Sequence, residues 1–370
     1  MINTFTPQNR ILMGPGPSNV NPKVYDALSK ATLGHLDPQF IELMNDLIKL
    51  LQYTFKTENN STFVLSGPGS LGMEAALVNL IEPDDKVVVC VGGFFANRMT
   101  QMVEKFGGNL ITVKETWGRA IDPQKLEDTL KDNPDTKIVA FVHAETSTGA
   151  LSNIKTLSEI AHKHNCLVIA DVVTSLGACE VRVEEWKLDA VYSCSQKGLA
   201  CVAGMSPMTF SEKAVHKILN RKSQVRSWFC DYKLLMSYWS GEKRAYHHTA
   251  PANQFYGLHT ALQILHEEGI ENSWRRHKEN SVKLISKLKE IGLEPLVPEK
   301  ERIPNLITVK IPEGVDDVKI RLELLNKHNL EIGAGLGELV GKVWRIGLMG
   351  YNSNDKMIDY CISSLKDVLK

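Results

Sequence analysis

The stretch Lys137–Asp171 (KIVAFVHAETSTGALSNIKTLSEIAHKHNCLVIAD) contains two apolar runs separated by an amphipathic segment. The runs Lys137–His143 and Cys166–Asp171 are continuous in Val, Ile and other apolar residues, which is typical of strands buried on both faces of a parallel sheet. The segment Ile154–His164 between them predicts a helix. A strand, a helix and a second strand in this order predict an α/β fold.

The same alternation extends on both sides of this stretch. Further apolar runs predict strands at Ser61–Leu65, Lys86–Gly92, Asn109–Lys114 and Ala190–Ser193, and the segments between them predict helices at Gly69–Ile81, Phe94–Phe106 and Asp122–Lys131. We therefore predict a mostly parallel sheet covered by helices.

The pattern changes after about residue 255. It predicts helices at Gln254–Gly269, Glu271–Gly292 and Val315–His328, and strands at Leu306–Ile311 and Val343–Leu348. We predict an N-terminal arm (residues 1–15), a large α/β domain (residues 16–268) and a smaller C-terminal α+β domain (residues 269–370).

The charge balance argues against some classes of function. The 370 residues include 43 basic and 43 acidic side chains, so the formal net charge is zero. This argues against broad binding to nucleic acid or to an anionic membrane surface, and no apolar run approaches the ~18–20 residues that span a bilayer. The N-terminal Met1–Pro7 resembles neither a secretory signal nor a transit peptide, and Asp367–Lys370 is not a peroxisomal signal. We therefore expect a cytoplasmic protein.

The cysteines and histidines do not predict a metal site. The seven cysteines are odd in number and form no CxxC pair, so we expect reduced, buried thiols: Cys90, Cys166, Cys179, Cys194, Cys201, Cys230 and Cys361. His143, His247 and His248 do not form a set at metal-binding spacing, and the adjacent side chains of His247 and His248 are expected to diverge.

Three polar motifs follow predicted strands. The first is Ser66–Ser70 (SGPGS), which opens a predicted helix; its glycines let the backbone approach an anion, and the helix N–H groups point at it. This is a candidate phosphate cradle, and the alternative is an ordinary strand-to-helix turn.

Asp171 and Lys197 are the other two candidates. Asp171 ends a strand where open α/β sheets bind ligands, or else it is a helix N-cap or a solvated acid. Lys197 follows another strand and could form a Schiff base, or else it is a surface lysine. A phosphate cradle, an acid that pairs with a pyridinium nitrogen and a lysine together meet the needs of pyridoxal 5′-phosphate.

These motifs resemble the class V aminotransferases of fold type I, and most of all their alanine–glyoxylate / serine–pyruvate (serine–glyoxylate) aminotransferase branch. The resemblance runs over essentially the whole chain. It is carried by Met13–Ser18 (MGPGPS), Ser66–Ala75 (SGPGSLGMEA), His143–Gly149 (HAETSTG), Asp171–Gly177 (DVVTSLG), Ser195–Lys197 (SQK), Tyr246–Pro251 (YHHTAP), Glu268–Trp274 (EGIENSW) and Gly333–Gly347 (GAGLGELVGKVWRIG).

The resemblance implies a role for each matching residue. Lys197 would bind the cofactor and move the proton between substrate Cα and cofactor C4′, and Asp171 would pair with the pyridinium nitrogen. The other implied cofactor contacts are the ring faces of Phe95 and Val173, the hydroxyl of Thr146, and the phosphate site of Gly69, Ser70 and Gln196.

The resemblance also implies substrate contacts and a partner subunit. Arg345 would clamp the substrate carboxylate with its planar fork, and Gly16 would lie close to the substrate. Tyr246 and Thr249 would reach the cofactor phosphate of a neighbouring subunit, so a homodimer with a composite active site is expected.

This chain departs from the family at three positions. Many relatives have a tryptophan where Phe95 stands, and animal relatives have a histidine in place of Ser70 and a serine in place of Pro68. Because Pro68 has neither an N–H nor a hydroxyl group, we expect fewer phosphate donors in this cradle.

The leading function is transfer of an amino group from a small L-amino acid (alanine or serine) to a small 2-oxo acid (glyoxylate or pyruvate) by a ping-pong mechanism. A ureidoglycine–glyoxylate aminotransferase is an alternative. A class V lyase such as a cysteine desulfurase fits less well, because Gln196 precedes Lys197 and Gly333–Lys342 has no cysteine. A non-enzymatic subunit would not need Lys197, Asp171 and Arg345 together, and no GxGxxG motif supports a dehydrogenase.

Overall fold

The computed structural model describes residues 4–241 and 243–370. The first three residues of the predicted N-terminal arm thus lie outside the described residues. The α-helices are α1 (Pro22–Leu28), α2 (Pro38–Phe55), α3 (Gly69–Leu80), α4 (Phe94–Lys105), α5 (Pro123–Asp132), α6 (Ile154–Lys163), α7 (Glu212–Leu219), α8 (Tyr232–Trp239), α9 (Ala252–Glu268), α10 (Ile270–Glu290), α11 (Asp317–His328) and α12 (Asp355–Val368).

The strands include every one predicted from the apolar runs. They are β1 (Ile11–Leu12), β2 (Ser61–Ser66), β3 (Lys86–Val91), β4 (Asn109–Lys114), β5 (Ile138–Val142), β6 (Ala144–Glu145), β7 (Ala150–Leu151), β8 (Leu167–Asp171), β9 (Ala190–Tyr192), β10 (Met205–Phe210), β11 (Leu306–Lys310), β12 (Leu330–Glu331), β13 (Gly333–Ala334) and β14 (Val343–Gly347).

The largest sheet has seven strands in the order β2-β10-β9-β8-β5-β3-β4. The neighbouring pairs from β9 to β4 are parallel, whereas β10 is antiparallel to both of its neighbours. Every residue of β5 is buried. Since successive side chains of a strand point to opposite faces, both faces of the sheet are covered there. The predicted α/β class with a mostly parallel sheet is confirmed.

Strand β10 was not predicted from the sequence. It contains Pro207, which is unusual in a central strand because it has no N–H to donate, and it pairs with β2, which lies about 140 residues earlier in the chain. The carbonyl of Pro207 nevertheless accepts a hydrogen bond from the backbone N–H of Ser193. This strand lies between β2 and β9 and joins both of them in one sheet.

The C-terminal part has a smaller antiparallel sheet in the order β11-β14-β13. Residues of α10, α12 and β14 share a second hydrophobic cluster, which includes Leu284, Trp344 and Ile358. Met13 belongs to the same cluster, and β1 pairs in parallel with β12. The N-terminal arm therefore lies against the C-terminal part of the chain. The boundaries at residues 15 and 268 stay a prediction.

All seven cysteines are buried and unpaired, which confirms the expectation of free thiols. Within residues 4–241 and 243–370, none of the helices combines the length and the apolar character needed to cross a bilayer.

Candidate active site

A cavity of about 300 Å³ lies at the carboxyl edge of the large sheet. Because the strands other than β10 run in the same direction, the segments after β2, β3, β5, β8 and β9 meet at this edge, where open α/β sheets bind ligands. Ten of the twelve predicted site residues line the cavity: Gly16, Gly69, Ser70, Phe95, Thr146, Asp171, Val173, Gln196, Lys197 and Arg345.

Lys197 follows β9 and is buried, with 7% of its surface exposed. Its Nζ donates hydrogen bonds to Oγ1 of Thr146 at 3.2 Å and Oγ1 of Thr174 at 3.4 Å. Burial lowers the pKa of Lys197, while the nearby Cys194 and Asp171 oppose this shift. The alternative of a surface lysine is therefore wrong. A lowered pKa increases the fraction of neutral amine, which is the nucleophilic form.

Asp171 is the last residue of β8 and is also buried. Its Oδ1 accepts a hydrogen bond from the backbone N–H of Val173, and its Oδ2 accepts one from the hydroxyl of Tyr192, both at 2.8 Å. Burial raises the pKa of Asp171 to about 6, and the two hydrogen bonds oppose this shift. Asp171 is buried, so the alternative of a solvated acid is wrong. No helix begins directly after it, so the alternative of a helix N-cap is wrong as well.

Apolar side chains line the cavity between these polar groups. The ring centroid of Phe95 lies 5.7 Å from Nζ of Lys197. Phe94 is turned almost perpendicular to it, at 81°, and does not line the cavity. A Cβ atom built at Gly69 would lie 3.1 Å from Cγ2 of Val173, so the glycine allows the start of α3 to approach that side chain closely.

The predicted phosphate cradle lies at the start of α3. The helix begins at Gly69 without a side-chain cap, and the first N–H groups of a helix have no partner within it. Ser70 adds a hydroxyl group, and Gln196, whose side-chain amide N–H groups can donate hydrogen bonds, lines the same cavity. Such an arrangement is suited to an anion.

Arg345, on β14, brings a buried positive charge to the cavity. Its Nε donates to the carbonyl of Ala334 at 2.7 Å and its Nη1 donates to the carbonyl of Thr146 at 3.1 Å. Burial lowers the pKa of Arg345 to about 10, and Glu145 opposes the shift. Within the described chain, no carboxylate lies within 4.0 Å of this guanidinium. A buried cation without an ion pair is costly, so the site favours an anionic ligand.

Gly16 lies against Lys197. Its φ is +102°, and a Cβ atom at this position would lie 2.9 Å from Cγ of Lys197. Only glycine adopts this conformation readily and leaves the lysine side chain undisturbed.

Glu145 is a buried residue that supports the cavity-lining Phe95 and that the sequence analysis missed. Its Oε1 accepts from Oγ of Ser147 at 2.6 Å, and its Oε2 accepts from the backbone N–H of Ala96 at 3.2 Å. Glu145 thus supplies the cap that the N-terminus of α4 lacks and holds Phe95 in place. Tyr192, Thr174 and Arg98 were missed as well; only Arg98 gives a local signal, since it follows Phe95 by one helical turn.

Tyr246 and Thr249 do not reach the cavity of their own chain. Their hydroxyl oxygens lie 3.3 Å apart, and 61% of the Tyr246 surface is exposed. Their predicted contact with a neighbouring subunit stays a prediction.

The expectation that His247 and His248 diverge is wrong. Their Nδ1 atoms lie 2.8 Å apart, and Nε2 of His248 lies 2.8 Å from Oγ of Ser66. The loop is not a strand, so side chains need not alternate, and Trp228 stacks on His247 at 4.8 Å between ring centroids. In the part of the chain that the structure describes, no three His, Cys, Asp or Glu side chains form a group that could hold a metal ion.

The cavity fits a flat cofactor with a carbonyl group and a phosphate. It offers a buried lysine, a carboxylate for a ring nitrogen, apolar side chains for ring faces, and an uncapped helix start with Ser70 and Gln196 beside it for the phosphate. Together with the sheet topology, these features define a fold type I enzyme of the kind that depends on pyridoxal 5′-phosphate.

Comparisons with known proteins agree. Residues 12–357 match the family described as "Aminotransferase class-V". The alanine–glyoxylate aminotransferase of Drosophila melanogaster is 37% identical over 98% of this chain and 93% of its own length. The (S)-ureidoglycine–glyoxylate transaminase of Bacillus subtilis is 34% identical over 97% of this chain and 90% of its own length. The crystal structure of an alanine–glyoxylate aminotransferase from Nostoc sp. has a TM-score of 0.98 at 43% identity and covers 100% of this chain and 98% of its own.

The chain therefore belongs to the class V aminotransferase family, and it is a transaminase. The resemblance drawn from the sequence motifs is confirmed. The family and the fold imply pyridoxal 5′-phosphate as the cofactor.

Proposed function

We propose that this transaminase moves the amino group of a small L-amino acid, alanine or serine, to glyoxylate or pyruvate. The observation that carries the proposal is the placement of Lys197 and Arg345 around Thr146. Nζ of Lys197 donates a hydrogen bond to the side-chain hydroxyl of Thr146, and Nη1 of Arg345 donates one to its backbone carbonyl. A carboxylate held by Arg345 thus keeps its α-carbon near the lysine. The names of relatives over nearly the whole chain support this substrate class.

The residues that would hold pyridoxal 5′-phosphate are those of the cavity. Gly69, Ser70 and Gln196 would bind the phosphate, Phe95 and Val173 would contact the ring, and Asp171 and Thr146 would bind its polar atoms. When bound, this cofactor supplies an aldehyde that takes up the amino group and a ring that accepts electrons from the α-carbon.

Lys197 would move the proton in this reaction. A base at the substrate Cα must be neutral at working pH, and burial lowers the pKa of Lys197 in that direction. The hydroxyls of Thr146 and Thr174 hold Nζ in place, and Gly16 leaves room for the lysine side chain. The same amine would return the proton when the 2-oxo acid takes up the amino group.

Arg345 would bind the carboxylates of the amino donor and of the 2-oxo acceptor in turn. Both substrates carry a carboxylate next to the reacting carbon, so one guanidinium serves both half-reactions and the kinetics are ping-pong. The exposed Tyr246, hydrogen-bonded to Thr249, supports a homodimer in which these side chains reach the partner's cavity.

A second candidate donor is ureidoglycine, because a relative of 34% identity over 90% of its length is named for that substrate. The test is a donor screen on the purified protein with added pyridoxal 5′-phosphate. L-alanine, L-serine and (S)-ureidoglycine are each incubated with glyoxylate or pyruvate, and the new amino acid is quantified, with Lys197→Ala as the inactive control. Turnover with alanine or serine supports the proposal. Turnover with ureidoglycine alone would contradict it.

A further inference from the structure

Arg98 is a third cation of the cavity, beside Lys197 and Arg345. It lies on α4, lines the cavity, and donates a 2.7 Å hydrogen bond from Nη1 to Oγ of Ser70. Its guanidinium carbon lies 5.1 Å from the ring centroid of Phe95 and 5.6 Å from that of Phe94. Two aromatic rings and one hydrogen bond therefore hold the guanidinium beside the start of α3.

The charge of Arg98 is not neutralised by the protein. Within residues 4–241 and 243–370, no carboxylate lies within 4.0 Å of its guanidinium. The other cations that line the cavity are Lys197 and Arg345, and both donate hydrogen bonds to Thr146 and not to Ser70. Arg98 is thus the cation placed at the Ser70 side of the cavity.

The start of α3 needs such a cation if it is to bind a phosphate. A phosphate monoester carries between one and a half and two negative charges near neutral pH, whereas a helix N-terminus offers about half a positive charge. Pro68 contributes neither an N–H nor a hydroxyl group, and it gives α3 no side-chain cap.

We propose that Arg98 is the cationic ligand of the cofactor phosphate. Through its hydrogen bond to Ser70, Arg98 also orients the Ser70 hydroxyl. Because Oγ of Ser70 accepts from Arg98, its own hydrogen is directed to another acceptor, which is a phosphate oxygen when the cofactor is bound. The Arg98–Ser70 pair thus compensates for the missing donors of Pro68. This inference rests on the proposed cofactor of the enzyme.

The test compares two aldehydes that differ only in the phosphate. Binding of pyridoxal 5′-phosphate and of pyridoxal to the cofactor-free full-length chain is titrated for wild type, Arg98→Gln and Arg98→Lys. Since charge-assisted hydrogen bonds are lost, Arg98→Gln should weaken binding of the phosphorylated aldehyde at least about tenfold and leave binding of pyridoxal unchanged. Arg98→Lys keeps the charge without the planar fork and should lie between the two. Arg275→Gln removes an exposed arginine on α10 and should change neither.

Each outcome decides the proposal. Equal affinity of wild type and both Arg98 variants for pyridoxal 5′-phosphate would overturn it while leaving the proposed function intact. Equal weakening of both aldehydes would also overturn it, because Arg98 would then act only by supporting Phe95. If Arg98→Gln does not fold by circular dichroism, Arg98→Lys decides by the same ratio. A wild-type chain that binds neither aldehyde would overturn the cofactor assignment and this inference together.

Discussion

The hydroxyl of Tyr192 donates a 2.8 Å hydrogen bond to Oδ2 of Asp171, and the two residues are also paired in register at the ends of β8 and β9. One strand thus holds the carboxylate that the neighbouring strand carries. Both residues are buried, so the position of Asp171 is fixed before any ligand arrives. The cost of this arrangement is a carboxylate in a site of low polarity, which its pKa reflects.

Replacing Asp171 by Asn should stabilise the cofactor-free protein at neutral pH. Burial raises the pKa of Asp171 from 3.8 to about 6, so the native state holds the proton more tightly than the unfolded chain. The free energy of unfolding of the wild type therefore falls as the pH rises from about 4 to about 6. In urea unfolding, the free energy of unfolding of Asp171→Asn should exceed that of the wild type by a difference that grows over this pH range to about 2–3 kcal/mol.

The same substitution should weaken binding of pyridoxal 5′-phosphate, because a neutral amide cannot balance a protonated ring nitrogen. Asp26→Asn, at an exposed carboxyl, is the matched control and should leave cofactor binding unchanged. A stability difference between Asp171→Asn and wild type that stays constant from pH 4 to pH 7 would show that the carboxyl of Asp171 has an ordinary pKa.

Replacing Arg345 by Ala should raise KM for the amino donor and for the oxo acceptor together. The guanidinium is buried and has no carboxylate partner in the described chain, so a substrate carboxylate gains a charge-assisted, two-point contact. We expect both KM values to rise about 10-fold to 100-fold, and less in Arg345→Lys, which cannot form the fork. Steady-state kinetics of the full reaction, with the amino donor and the oxo acceptor varied in turn, measure both KM values. A rise for only one substrate would rule out a shared carboxylate site.

Replacing Gly16 by Ala should lower activity far more than the same change at Gly292. Both glycines have a positive φ, at +102° and +79°, so each substitution should cost about 1 kcal/mol of stability. A Cβ atom at Gly16 would press on Cγ of Lys197, whereas nothing lies within 4 Å of one at Gly292. Displacing the lysine should reduce kcat about 100-fold in Gly16→Ala only. Equal kcat values in the two variants would show that Gly16 does not control the lysine.

Replacing Tyr246 by Phe should weaken cofactor binding although Tyr246 lies outside its own cavity. If its hydroxyl reaches the phosphate in a partner subunit, loss of one hydrogen bond should lower affinity about 2-fold to 10-fold. Tyr25→Phe, also at an exposed tyrosine, is the control. Cofactor titration and analytical ultracentrifugation test this together. A composite site would be excluded if the protein is a monomer and if the wild type and Tyr246→Phe bind pyridoxal 5′-phosphate with equal affinity.

The sequence indicates the part of the site that depends on local pattern. Asp171 and Lys197 could be placed at one edge because each follows an apolar run, and parallel strands bring such ends together. Strand β10 could not be predicted in this way. Its residues Met205–Phe210 include Pro207 and polar side chains, and its place in the sheet depends on pairing with β2 and β9.

The positions of Glu145 and Tyr192 could not be predicted for a related reason. Glu145 accepts a hydrogen bond from the backbone N–H of Ala96, which lies 49 residues away in the chain. Tyr192 donates a hydrogen bond to Asp171 on the neighbouring strand. Such contacts depend on which segments become neighbours in the folded chain, and the local hydrophobic pattern of one segment does not specify its neighbours. Arg98 differs, because its helical spacing from Phe95 already places both side chains on one face of α4.

The most direct test of the central claim is the visible absorption spectrum of the purified protein with pyridoxal 5′-phosphate, before and after addition of L-alanine or L-serine and then of glyoxylate. We predict a yellow band in the wild type that bleaches with the amino acid and returns with glyoxylate. Lys197→Ala should lack the protein-linked band and this cycle while remaining folded. A wild-type protein without a cofactor band, or a Lys197→Ala variant that completes the cycle at the wild-type rate, would contradict it.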